Sequence, residues 1–139
     1  KVKDTGEADN IKKKMEEIQR VKADLQMLQK VREKLAHEKN WTKGVFARTA
    51  SGLSCNDLDE RAFSFCLVGA YNRVAKENPE ILPEWRSMNY RQSFENIQNV
   101  IGSLEDFNDA EETKHADILS NLEQCKQHLE TFIEKGNPA

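Results

Sequence analysis

The side chains best suited to covalent chemistry in this 139-residue chain are three cysteines, Cys55, Cys66 and Cys125. A nucleophilic thiol needs an electropositive setting that lowers its pKa. Cys66 lies in an apolar stretch, Cys55 stands just before the acidic Asp57, and Cys125 lies on an apolar helical face. No cysteine has a basic setting next to it in sequence, so a Cys/His pair such as Cys125 with His128 or His115 would have to be assembled by the fold. The count is odd and no Cys-x-x-Cys pair occurs, which argues against both a disulfide framework and zinc and favours a reducing compartment. The densest polar run, Glu105 to Asp117, invites a metal test. Asp106 and Asn108 begin like a calcium loop, but Ala110 holds the third ligand position and Glu111 stands where glycine is required. Glu112 and His115 have Glu-x-x-His spacing, yet a di-iron bundle needs that motif twice. An acidic first helical turn accounts for the run without a metal. No catalytic residue, metal or cofactor is expected.

The elements that would position these residues read as helices. Ile11, Ile18 and Leu25 are spaced by seven, as are Val21, Leu28 and Leu35, and no Gly or Pro interrupts them. This predicts a coiled-coil-like helix over 10–39, with Asn10 as N-cap, after a flexible lead-in over 1–9. At roughly 45 Å, such a helix outreaches a domain of this size. Part of its seam should therefore find a partner, most simply a second copy, through Ile18, Val21, Leu25 and Leu28. Residues 40–55 read as a loop with turns at Gly44 and Gly52. Asp57 and Glu60 have capping-box spacing and predict a helix from about Asn56 to Asn78-Pro79. Gly69 in that helix predicts that another backbone comes close. A loop with Trp85 and Tyr90, candidates for a partner contact, should lead into a helix over 87–101. A short turn over 104–107 and a final helix capped by Asn108, Asp109 or Thr113 complete the chain. No segment alternates long enough to predict a strand. The expected fold is all-α, a helical bundle of four to five helices forming one domain over 10–139.

Composition agrees with a folded, water-facing protein. The hydrophobic fraction is 37% and the charged fraction 32%, too polar for a membrane span. A net charge of −3 gives no electrostatic footprint for nucleic acid. Residues 1–40 carry 11 Lys/Arg against 8 Asp/Glu, whereas 41–139 carry 10 against 16. The chain thus pairs a basic arm with an acidic body.

Four blocks suggest a relationship: Trp41-x-x-Gly44-x-x-Ala47-Arg48, Phe65-Cys66-Leu67-x-Gly69-Ala70, Phe107-Asn108-Asp109 and Ala116-Asp117-Ile118-Leu119. Through them residues 41–125 resemble a family of small uncharacterised helical domains of bacteria and their phages. The resemblance implies a fold and no reaction. Trp41, Arg48, Gly69, Asn108 and Asp109 are read as structural, with Arg48 expected to pair with Asp109 or Asp106 and lock the loop to the bundle. The long helix before Trp41 and the last helix beyond Cys125 depart from the family and suit assembly. The expected function is therefore non-enzymatic protein binding, as a homodimeric regulator that could inhibit another protein. Its expected location is a reducing cytoplasm, or a host cytosol if it is a secreted effector. The alternative is a small enzyme or ligand-binding bundle with a pocket near Arg48, Cys66 and Asp109.

Overall fold

A computed structural model describes residues 5–81 and 104–136. The expected helix over 87–101 and the loop bearing Trp85 and Tyr90 lie outside the described residues. Helix α1 (Thr5–Lys34) is followed by a short 3-10 turn (Glu38–Asn40). Strands β1 (Ala47–Thr49), β2 (Ser54–Cys55) and β3 (Ala62–Phe65) come next, and then α2 (Leu67–Glu77), α3 (Leu104–Asp109) and α4 (His115–Gly136).

The sheet corrects the all-α expectation. It is three-stranded and antiparallel in the order β2-β1-β3, with Ala47 opposite both Cys55 and Phe65. The chain is therefore mixed α and β, not a purely helical bundle. Two turns make the meander possible. Gly52, at φ +93°, closes β1 onto β2 as its N–H donates to the Thr49 carbonyl at 2.9 Å. Asn56 and Asp59 accept from the N–H groups of Leu58 and Arg61, both at 2.8 Å. These Asx turns occupy the stretch read as the start of the second helix. That helix begins only at Leu67, where the Cys66 Sγ accepts the Gly69 N–H at 3.3 Å.

Helix α1 begins at Thr5, ahead of the expected cap at Asn10. Its C-terminal half places Met27, Leu28 and Val31, with Leu35 just beyond its end, in the core against Leu67, Tyr71 and Val74 of α2 and Ile118, Leu122 and Leu129 of α4. Helix α4 runs back along α1: His115 Nε2 donates to the Leu35 carbonyl at 2.6 Å, and Leu129 comes beside Val21. The His115 bond satisfies a carbonyl that the end of α1 leaves without a helical partner. Helix α4 starts after Lys114, whose N–H reaches Asp117 Oδ2 at 2.9 Å. Asn108 and Asp109, expected to cap it, instead end α3 and turn toward the 41–46 segment. No described helix is long and apolar enough to cross a membrane.

Candidate functional site

The best-organised polar group among the described residues is Asn108, 1% exposed at the end of α3. Its Oδ1 accepts from Trp41 Nε1 at 2.7 Å and from the Leu67 N–H at 3.1 Å. Its Nδ2 donates to the Thr42 carbonyl at 3.1 Å and to Asp109 Oδ1 at 2.8 Å. One amide thus uses both donors and both lone pairs, the full capacity of the side chain. It also supplies the first turn of α2 with an acceptor from another helix, so α2, α3 and the loop before β1 meet at one atom group. Asp109 extends the junction by accepting the Gly44 N–H at 2.9 Å. Gly44 has φ +81°, the left-handed region that turns its N–H toward the carboxylate.

Arg48 does not join this junction in the expected way. Its Nε donates to Thr42 Oγ1 at 2.8 Å, Nη1 to the Gly52 carbonyl at 3.1 Å and Nη2 to the Lys43 carbonyl at 3.4 Å. It ties the two loops flanking β1 to each other, while Asp109 is satisfied by Gly44. The loop is locked to the helices by Asn108 and Asp109 instead, through the Trp41 indole and the Thr42 and Gly44 backbone. Trp41 stacks at a tilt on His115, with ring centroids 6.1 Å apart, and Lys43 Nζ sits 5.4 Å from the Trp41 ring. Gly69 meets the predicted close approach: a Cβ there would lie 2.1 Å from the Phe46 carbonyl oxygen. The approaching backbone is the residue before β1, not another helix.

Beside the junction lies a cavity of about 370 Å³. Val45, Phe46 and Val68 give it apolar walls, Cys55 and Cys66 contribute thiols, and Glu105 and Asp109 contribute carboxylates. It contains Cys66 and Asp109 of the alternative pocket expected from sequence, while Arg48 is not among its lining residues. No imidazole lines it. The Cys66 thiol is pushed from its ordinary value of 9.0 up to about 11, chiefly by burial, with the charges of Asp109 and Asp57 adding to the effect. Burial likewise raises Cys125 to about 11. Both are therefore protonated near neutral pH and poor nucleophiles. Among the described residues no group of three or more His, Cys, Asp or Glu converges as a metal site would require.

A measurement follows from these thiols. At pH 8, iodoacetamide should modify the half-buried Cys55 first, with Cys66 and Cys125 at least about tenfold slower, and denaturant should equalise the three. Peptide mapping of a short reaction reads the order. Because the folded state holds these two protons more tightly than the unfolded chain, their contribution to stability is full below about pH 9 and is lost as pH rises through about 11.

The long helix presents a different surface. Ile18 and Leu28 are buried within the chain, and Val21 and Leu25 pack partly on its core. The four seam residues expected to meet a partner are thus largely occupied by α2 and α4. What stays open lies nearer the N-terminus: Ile11 is 48% exposed and Met15 53%. The end of α4 exposes Phe132, which lines a groove of about 850 Å³ between the two helices; its α1 wall includes Lys13, Glu17 and Val21 but neither Ile11 nor Met15. Sequence reasoning missed Phe132 as a surface residue because it falls on the same apolar spacing as Leu122 and Leu129. It also missed Glu105 and Phe46, which only the chain reversal at Gly44 brings together.

A family model described as a family of unknown function, DUF6197, matches residues 19–128. No curated protein and no solved structure matches the chain.

Proposed function

Since the chain belongs to DUF6197, a family of unknown function, we propose a role from its own geometry: a protein-binding module that pairs with a second copy through the open end of α1 and α4. The observation that carries this reading is the exposure of Ile11, Met15 and Phe132 on one two-helix arm. Ile11 and Met15, four residues apart, share one face of α1, and exposed apolar side chains grouped on one face mark interaction sites more often than isolated ones do. The arm lies largely outside the family match, which begins at residue 19 and ends at 128. Trp41, Arg48, Gly69, Asn108 and Asp109 then serve the fold shared by the family, and the arm serves what this member adds to it.

The charge pattern favours a copy of the same chain. The α1 sequence Ile11-Lys12-Lys13-Lys14-Met15-Glu16-Glu17-Ile18 is self-complementary when read antiparallel. About a twofold axis between Lys14 and Met15, the basic 12–14 stretch of one copy lies alongside the acidic Glu16-Glu17 stretch of its partner. Such isologous pairing is the commonest route to a homodimer. The ion pairs contribute little affinity but fix orientation. Covering three half-exposed apolar side chains per copy supports a weak dimer, with Kd on the order of 10–100 µM. The same arm would bind another protein in a regulator that inhibits its target. Three free thiols suit a reducing cytoplasm, in the producing cell or in a host.

Sedimentation equilibrium tests the pairing. The native chain should self-associate, and Met15→Lys should leave it monomeric with its melting temperature unchanged, because Met15 is exposed. Lys12→Glu/Lys13→Glu and Glu16→Lys/Glu17→Lys should each weaken self-association, and the two variants mixed should form a heterodimer. A strict monomer at several hundred micromolar, or variants that all associate alike, would overturn the reading.

A further inference from the structure

We propose that the cavity between the Gly44–Phe46 loop, β2, the start of α2 and α3 is a binding site for a small organic cation, an ammonium or amidinium carried on an apolar body. The inference is independent of the pairing of the arm, which lies on other residues.

The shape of the site sets the size of the ligand. A volume of about 370 Å³ falls within the range of small-molecule sites and corresponds to roughly a dozen waters. Phe46, Val45 and Val68 line it with apolar surface that a hydrocarbon body would cover. The polar chemistry of the walls sets its charge. None of the ten lining residues is Lys, Arg or His. Four of the donor groups bordering the space are already engaged by the protein. The Gly44 N–H serves Asp109, the Leu67 N–H serves Asn108, the Gly69 N–H serves Cys66, and the Asn108 amide serves Thr42 and Asp109. An anion entering here would meet two carboxylates and no cationic side chain.

Acceptors, in contrast, remain. No described cation pairs with Glu105, and Asp109 holds its loop contacts through Oδ1. A carboxylate pair above an apolar floor recognises a group that is cationic, rich in N–H donors and attached to hydrocarbon. The neutral Cys66 thiol and the Ser54 hydroxyl add no charge that would oppose it. The sheet makes this possible. Pairing Ala47 with both Cys55 and Phe65 draws β2 and the start of α2 around one loop, and α3 closes the remaining side.

Phenethylammonium is the probe, with 2-phenylethanol and 3-phenylpropionate as its neutral and anionic counterparts. In a titration followed by amide chemical shifts, the amine should move Gly44, Val68 and Asp109 and bind at least about tenfold more tightly than the alcohol. It should also slow alkylation of Cys55. Glu105 is exposed, so Glu105→Gln should leave the fold intact while weakening the amine about tenfold and leaving the alcohol unchanged. Equal affinity for amine and alcohol, preference for the carboxylate, or no shift at these residues up to about 10 mM amine would overturn the proposal.

Discussion

Replacing Asn108 with Ala is expected to cost the fold about 3–5 kcal/mol, the largest effect of any single polar truncation described above. The substitution removes little apolar contact. Its effect comes from what it strands: the Trp41 indole N–H, the Leu67 N–H and the Thr42 carbonyl all lose the partner they have at 2.7, 3.1 and 3.1 Å. Each buried group left unpaired costs about 1–3 kcal/mol, and water reaching the breach recovers part of the sum. For a chain of this length the melting temperature should fall by about 10–20 °C in thermal unfolding followed by circular dichroism. Asn108→Asp is informative beside it. The acid keeps the acceptor for Trp41 and Leu67 but turns oxygen toward the Thr42 carbonyl and toward Asp109, so it should rescue little. A drop of only a degree or two in the alanine variant would mean that Asn108 does not hold the three segments together.

The second large effect distinguishes two physical arguments by its sign. Gly69 lies in the first turn of α2, where helix propensity alone makes Gly→Ala stabilising by up to about 1 kcal/mol. The packing argues the reverse. A Cβ at this position would stand 2.1 Å from the Phe46 oxygen, an atom of rigid backbone that also accepts the Cys66 N–H at 3.2 Å. Relief requires the segment before β1 to move, and that segment is tied to β3 through Ala47 and to α3 through Gly44. Gly69→Ala should therefore destabilise by about 2–4 kcal/mol. Urea unfolding checks this, with an unchanged m-value showing that the unfolded reference has not shifted.

Both predictions rest on features that the sequence displayed unequally. The first helix was plain, because an apolar spacing sustained over several heptads has no competing explanation. The need for a close backbone approach at Gly69 was also plain, though not the identity of the neighbour. The sheet was hidden by its brevity. Strands of three, two and four residues cannot establish a two-residue alternation. The third strand was masked further because Leu58, Ala62, Phe65 and Cys66 fall by coincidence on helical spacing. Asp57 and Glu60 looked like a capping box, yet Asp57 accepts from Asn72 of α2 at 2.9 Å across the fold. Asn108 was recognisable as a residue that satisfies helix ends, but it serves α2, which precedes it by about forty residues in the chain. Local sequence cannot report such a partner. Arg48 and Asp109 carry opposite charges, yet geometry gives each a set of neutral partners instead.

The small sheet has one more consequence, for how the protein behaves when crowded. A three-stranded sheet has two outer edges, and an open edge is a template on which another chain can add a strand. Here neither edge offers much. On one side β2 is only two residues long and leads straight into the Asn56 turn. On the other, the outer rim of β3 is occupied by the chain's own 40–42 segment. The Thr42 N–H donates to the Phe65 carbonyl at 3.0 Å, and the Asn40 amide covers the Phe63 carbonyl at 2.8 Å. The exposed ring of Phe63 therefore sits beside main chain that is already paired. The sheet is guarded against templated aggregation by the same loop whose Trp41 anchors the Asn108 junction.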